Sequence, residues 1–255
     1  MTIFHSIILG LVEGLTEFLP ISSTAHLIIV TKLLTLSQTE YVKIFEISIQ
    51  VGAILAVLVT YFKKFFNVEL LTKLAVAFIP TGLAGLLLYP YLKVFFANTW
   101  IIVFTLSLGG VLILIIEKWY AKTHIEKDPR EIITFKDALL LGLFQAIAIV
   151  PGTSRSGATI VGGLLLGLKR SVLTEFTFLL AVPTMIIATV YSLYKSRELL
   201  TQVDAITPIL VGATVSFFVA LIVIRYFLNY IRKHSFEVFG WYRIALAIVL
   251  ALWIL

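Results

Sequence analysis

The chain has 255 residues, 60% hydrophobic and only 13% charged, with a net charge of +6 and no cysteine. Soluble domains carry roughly 25% charged residues, so a soluble globular domain is excluded, as are thiol catalysis, disulfides and thiolate metal sites. The apolar runs are long and solid rather than alternating segments of about 10 residues, which excludes a transmembrane β-barrel and leaves an all-α polytopic membrane protein in a plasma (inner) membrane. The positive charges fall mostly between apolar runs, so they read as topology signals and no nucleic-acid partner is expected. The opening MTIFHS has no basic stretch and no small-residue cleavage site after it, so no signal peptide is expected.

In chain order, residues 3–35 hold two short apolar pieces broken by FLPISSTAH. Apolar runs at 41–62, 70–92 and 99–116 follow, each long enough to cross a membrane. After a charged linker, residues 137–168 again hold two short pieces, broken by VPGTSRSGAT, before runs at 171–192, 206–229 and 236–255. The halves of the broken regions, at about 12–15 residues, fall short of the roughly 20 needed to span, and read as re-entrant helical hairpins. LGLVEGLTEFLPISSTAH from Leu9 parallels LGLFQAIAIVPGTSRSGA from Leu141, with Glu13 on Gln145 and, after one gap, Pro20 on Pro151.

The expected fold is therefore a single membrane domain of six transmembrane helices and two re-entrant hairpins. It divides into repeats 1–118 and 137–255. Three crossings per half invert the second repeat, and binding sites of such folds lie at the repeat interface near the midplane. Lys63, Lys64, Lys118, Lys122, Lys127, Arg130, Lys136, Lys169, Arg170, Arg232 and Lys233 fall on one side, assigned as cytoplasmic, against Lys32, Lys43, Lys93, Lys195 and Arg197 on the other. Both termini then face outward, and the hairpins dip in from opposite sides so that their tips meet.

Ionisable groups at membrane depth are costly and point to function. Glu13 and Glu17, four apart on a short helix, share a face and must share a proton, hold a cation or meet an arginine. Pro20 ends that helix and Ser22, Ser23 and Thr24 are placed to cap the next. Ser23 and His26 are three apart, a candidate nucleophile beside a candidate base. In PGTSRSGATI, Gly152 and Gly157 permit close backbone approach. Ser154, Ser156 and Thr159 supply hydroxyls and a helix N-terminus, and Arg155 supplies a fork suited to phosphate. Together they read as an oxyanion cradle. Glu46 and Gln50 read as supporting or packing groups, Gly163 and Gly167 as a close-packing pair, Pro80 and Pro183 as kinks, and His5, His124 and His234 as surface residues.

ExxxE at 13–17, then FLPISSTAH, then PGTSRSGAT closely resembles the undecaprenyl-diphosphatase family, also called the bacitracin-resistance proteins, and the likeness extends through FEISIQVGAILAV at 45–57. The resemblance implies hydrolysis of undecaprenyl diphosphate to the monophosphate and inorganic phosphate, recycling the lipid carrier of cell-wall synthesis. It implies roles for Glu13, Glu17, Ser23, His26, Ser154, Arg155 and Thr159, and a divalent cation, Mg²⁺ or Ca²⁺; Glu13 and Glu17 are read as the residues that bind that cation or manage protons. Ser154-Arg155 also opens the SRx₅HxxxD motif of a second class of lipid phosphatases. Val161 and Leu165 stand where its His and Asp belong, which rejects that mechanism. The expected partners are a polyprenyl diphosphate and the bilayer, with a homodimer left open. Attack by Ser23, by His26 or by water all remain open, and the outer face is favoured. The competing class is an ion-coupled transporter or lipid flippase, which broken helices in inverted repeats also serve.

Overall fold

The computed structural model describes residues 1–123, 126–195, 197 and 206–254, with side chains for all of these except 89–97. His124 and the side chain of Lys93 lie outside the described residues. Ten α-helices are present among them: α1 (Ile3–Thr16), α2 (Ser23–Leu33), α3 (Glu40–Thr60), α4 (Val68–Ala97), α5 (Thr99–Lys122), α6 (Phe135–Ala146), α7 (Arg155–Leu165), α8 (Arg170–Lys195), α9 (Ile206–Ile231) and α10 (Glu237–Ile254). Six of them, α3, α4, α5, α8, α9 and α10, are long and apolar enough to cross a membrane, as expected. Helix α5 runs past residue 116 because Glu117 is fully buried and held by Arg170, so a charged stretch that reads as linker continues the helix.

The short helices come in pairs. Helix α1 has 14 residues and α2 has 11; α6 has 12 and α7 has 11. At 1.5 Å per residue none exceeds roughly 21 Å, less than a hydrocarbon core of about 30 Å. Both pairs break in the same way. Ser22 (φ 72°) and Ser154 (φ 70°) sit in the left-handed region as N-caps, accepting from Ala25 N at 3.4 Å and Gly157 N at 3.1 Å. Capping answers the free N–H groups that the break at Pro20 or Pro151 exposes.

Each short pair leans on a long helix from the opposite half of the chain: α1 packs on α9, and α6 on α4. The central helices are α3 and α8, which also pack on each other; 56% and 50% of their apolar windows are buried, against 17–28% for the other four. Those four turn apolar side chains such as Phe104, Ile115, Phe218 and Val249 outward, as a lipid-facing belt requires. Pro80 lies within α4 and Pro183 within α8.

Helix contact without a hydrophobic drive depends on backbone proximity. A Cβ at Gly142 would come 2.0 Å from Ala77 O, and one at Gly52 1.9 Å from Ala213 O. Because the obstacle is backbone, no rotamer relieves it. Gly142→Ala should therefore destabilise the protein by about 1–3 kcal/mol, whereas an exposed substitution costs no more than about 0.5 kcal/mol. Gly85→Ala, where an added Cβ meets nothing within 4 Å, is the control. Thermal unfolding of the two variants in detergent checks this.

Candidate active site

The turn between α1 and α2 and the turn before α7 enclose a cavity of about 150 Å³. Glu17, Ser22, Ser23 and Thr24 line it from the first pair, Pro151, Gly152, Ser154 and Arg155 from the second, and Gln50 from α3. Five residues singled out in the sequence (Glu17, Ser23, Gly152, Ser154 and Arg155) thus face one space although more than 120 positions separate Ser23 from Gly152.

The centre of the site is one carboxylate with divided duties. Glu17 Oε1 accepts from Arg155 Nη2 at 3.0 Å, and Glu17 Oε2 accepts from Ser23 Oγ at 2.5 Å. All three side chains are mostly buried, so these bonds act in low dielectric, where charge-assisted hydrogen bonds are strong. A second donor of Arg155, Nη1, reaches Thr177 O at 3.2 Å, and this fixes the guanidinium in the cavity wall. Gly152 (φ 85°) turns the chain beside it in a conformation that favours glycine.

The pairing of Ser23 with His26 is corrected. Ser23 donates to Glu17, while His26 Nδ1 meets Ser22 O at 2.7 Å and His26 Nε2 meets the Tyr242 hydroxyl at 2.7 Å. Adjacent positions on one helix face did not decide the partner, because Glu17 arrives from the other side of the turn. Two of the cradle's hydroxyls also point elsewhere: Thr159 Oγ1 donates to Arg155 O at 2.9 Å, and Ser156 Oγ to Leu19 O at 2.9 Å. Ser156 thus ties the second tip to the first, and Ser154 Oγ lies 3.1 Å from it.

Glu13 does not line the cavity. It is fully buried one helical turn behind Glu17, and neither carboxylate oxygen has a hydrogen-bond partner. Carboxylates at that depth need a proton or a cation. Among the described residues no group of three or more His, Cys, Asp or Glu is placed to hold a metal. Mg²⁺ is commonly bound by one or two carboxylates with substrate phosphates completing the shell. The two orphaned oxygens of Glu13 are open to a cation, whereas both oxygens of Glu17 in the next turn are engaged by Arg155 and Ser23.

Sequence reasoning missed Tyr242 and Arg243, both on α10. Arg243 is completely buried, with its guanidinium on carbonyls of both tips. The signal was available, since Arg243 interrupts an apolar run, WYRIALAIVL. Gln50, assigned a supporting or packing role, is in fact part of the cavity wall.

Comparison with known proteins identifies the family. Residues 6–249 match the family described as bacitracin resistance protein BacA. The undecaprenyl-diphosphatase of Sulfurihydrogenibium sp. is 51% identical over 253 residues, covering 99% of this chain and all of the relative. That of Wolinella succinogenes is 51% identical over 250 residues, covering 98% and 97%, and that of Aquifex aeolicus 45% identical over 253 residues, covering 98% of both. With the family match running over nearly the whole chain and relatives at 45–51% identity covering it end to end, this chain belongs to the BacA bacitracin-resistance family.

Proposed function

We propose that this chain is an undecaprenyl-diphosphate phosphatase, which releases inorganic phosphate and leaves the lipid monophosphate for cell-wall synthesis, with resistance to bacitracin as a consequence. The observation that carries the reading is the bridge Arg155–Glu17–Ser23, which sets an anion-binding guanidinium and a carboxylate-bonded hydroxyl on one small cavity. Arg155 holds oxygens of the terminal phosphate and stabilises the charge that grows on them as the anhydride opens. Ser23 Oγ attacks the terminal phosphorus as Glu17 takes its proton. The bond to the bridging oxygen breaks and the prenyl phosphate leaves. Water then attacks the phosphoserine, frees phosphate and restores Ser23. Glu17 replaces His26 in the role of base because it is the group that holds the Ser23 hydroxyl. Direct attack by water oriented on Glu17 uses the same residues. Glu13 and Glu17 would hold a divalent cation, which when bound neutralises diphosphate charge. His26, fixed between Ser22 and Tyr242, steadies the start of α2.

The two short pairs are read as re-entrant hairpins of an inverted repeat. In support, they break at equivalent Pro and Ser positions, share left-handed N-caps, and pack reciprocally as α1 on α9 and α6 on α4. Three crossings per repeat put both termini outside, the lysine- and arginine-rich loops in the cytoplasm and the glutamate hairpin's opening on the outer face of the plasma membrane. A second cavity, of about 110 Å³, adjoins the back of the second tip; its walls include Leu112, Ile113, Phe144, Ile147 and Val161, with Thr153 and Gly157 shared with the tip. It suits the first isoprene units of the tail, so that head and tail flank one loop. A transporter would use the same architecture, but the hydroxyl bonded to a carboxylate beside an arginine favours hydrolysis.

Phosphate release from a prenyl diphosphate by the purified protein tests the reading. Ser23→Ala and Arg155→Ala should each lower kcat by about 10²–10³-fold or more with the fold retained, and EDTA should abolish turnover that Mg²⁺ or Ca²⁺ restores. Full activity of Arg155→Ala, or ion-dependent uptake with no hydrolysis, would overturn it. Filling the apolar cavity with Leu112→Trp should raise KM for a long-chain diphosphate about tenfold, the worth of roughly two buried methylenes. KM for a five-carbon diphosphate should not move. Equal effects on the two would leave the tail in the bilayer.

A further inference from the structure

Arg243 is buried to the last atom in the middle of α10. Its guanidinium reaches three separate segments: Nη1 donates to Pro20 O at 3.2 Å, and Nη2 to Gly152 O at 3.0 Å and Thr105 O at 2.9 Å. Pro20 belongs to the first tip, Gly152 to the second and Thr105 to α5, whose hydroxyl in turn holds Pro151 O at 2.7 Å. Among the described residues no carboxylate pairs with Arg243; its hydrogen-bond partners there are all backbone carbonyls. A cation at membrane depth costs roughly 2.5–3.5 kcal/mol even on the mildest scale. Packing alone gives no reason to meet that cost, since a methionine would fill similar volume. Space for it is also built in: a Cβ on Gly109 would lie 2.3 Å from Arg243 Nη2.

We infer that Arg243 is a positioning residue, which gathers the two tips on one guanidinium so that Glu17 and Ser23 of the first meet Arg155 of the second. Turn carbonyls outside regular helix need donors, and the planar fork of arginine supplies several in fixed directions where the single ammonium of lysine does not. The inference rests on the hydrolase reading for its kinetic test but has a structural test of its own.

The cysteine-free chain permits direct labelling. Nitroxides at Leu15→Cys and Ile147→Cys, both exposed positions flanking the two tips, report the separation of the hairpins by pulsed EPR. Arg243→Met and Gly109→Ala should each lower kcat by about 100-fold, the usual cost of misplacing reacting groups by about an ångström. KM for a five-carbon diphosphate, too short to fill the apolar cavity that Gly109 and Arg243 also line, should change much less, and the distance distribution should broaden or shift. Arg243→Lys should restore under a tenth of the lost kcat. Helix content and thermal unfolding exclude global collapse. Should Arg243→Met fail to fold, Gly109→Ala, which keeps the guanidinium and displaces it, decides the question. A kcat for Arg243→Met or Gly109→Ala close to that of the parent, or a loss of kcat with an unaltered distance distribution, overturns the inference. A parent protein that releases no phosphate defeats the hydrolase reading instead, and the EPR distances still test the clamp.

Discussion

Everything at the site depends on a single ion pair closed across the molecule. Glu17 and Arg155 come from segments 138 positions apart, and each is nearly enclosed. Withdrawing one member of a buried pair costs roughly 3–5 kcal/mol, because the other is left charged and dry. This cost favours keeping the two tips together. Ser23 joins the same carboxylate, so the contact that unites the halves also orients the hydroxyl expected to react.

Such an arrangement needs helices that approach more closely than ordinary side chains allow. The two short pairs seat α1 against α9 and α6 against α4 at backbone contact, closer than side chains on both helices would permit. Gly10 faces Gly212, and Gly142 faces Ala77, backbone against backbone. The Ser22 and Ser154 caps then turn the chain at the ends of the pairs so packed. Small residues and polar tips are therefore parts of one solution, in which close packing supplies the reach and the caps satisfy the exposed amides.

Much of this was legible in the sequence for reasons that are local. Six helices followed from run length, and the breaks followed from Pro20 and Pro151 with hydroxyl residues behind them. Glu17, Ser23, Ser154 and Arg155 were marked by their polarity in apolar surroundings, and the structure places all four on one cavity. What failed was choice of partner. His26 is three residues from Ser23, but the hydroxyl turns to Glu17, and Thr159 and Ser156 spend theirs on backbone carbonyls. Spacing along a helix gives the candidates that share a face; the approach of other segments decides among them. Arg243 shows the same limit from the other side. A charge in the last apolar run was visible as an anomaly, yet its four carbonyl partners come from three segments that no periodicity connects.

The divided carboxylate has a consequence for ligand entry. In this state the guanidinium of Arg155 is already quenched by Glu17 Oε1. That N–H lies on the cavity wall, so an anion entering the cavity has to displace Glu17 from it or share it. The other oxygen of the same carboxylate holds Ser23, which makes Glu17 a hinge between the cationic wall and the hydroxyl: neither can be moved without disturbing the other.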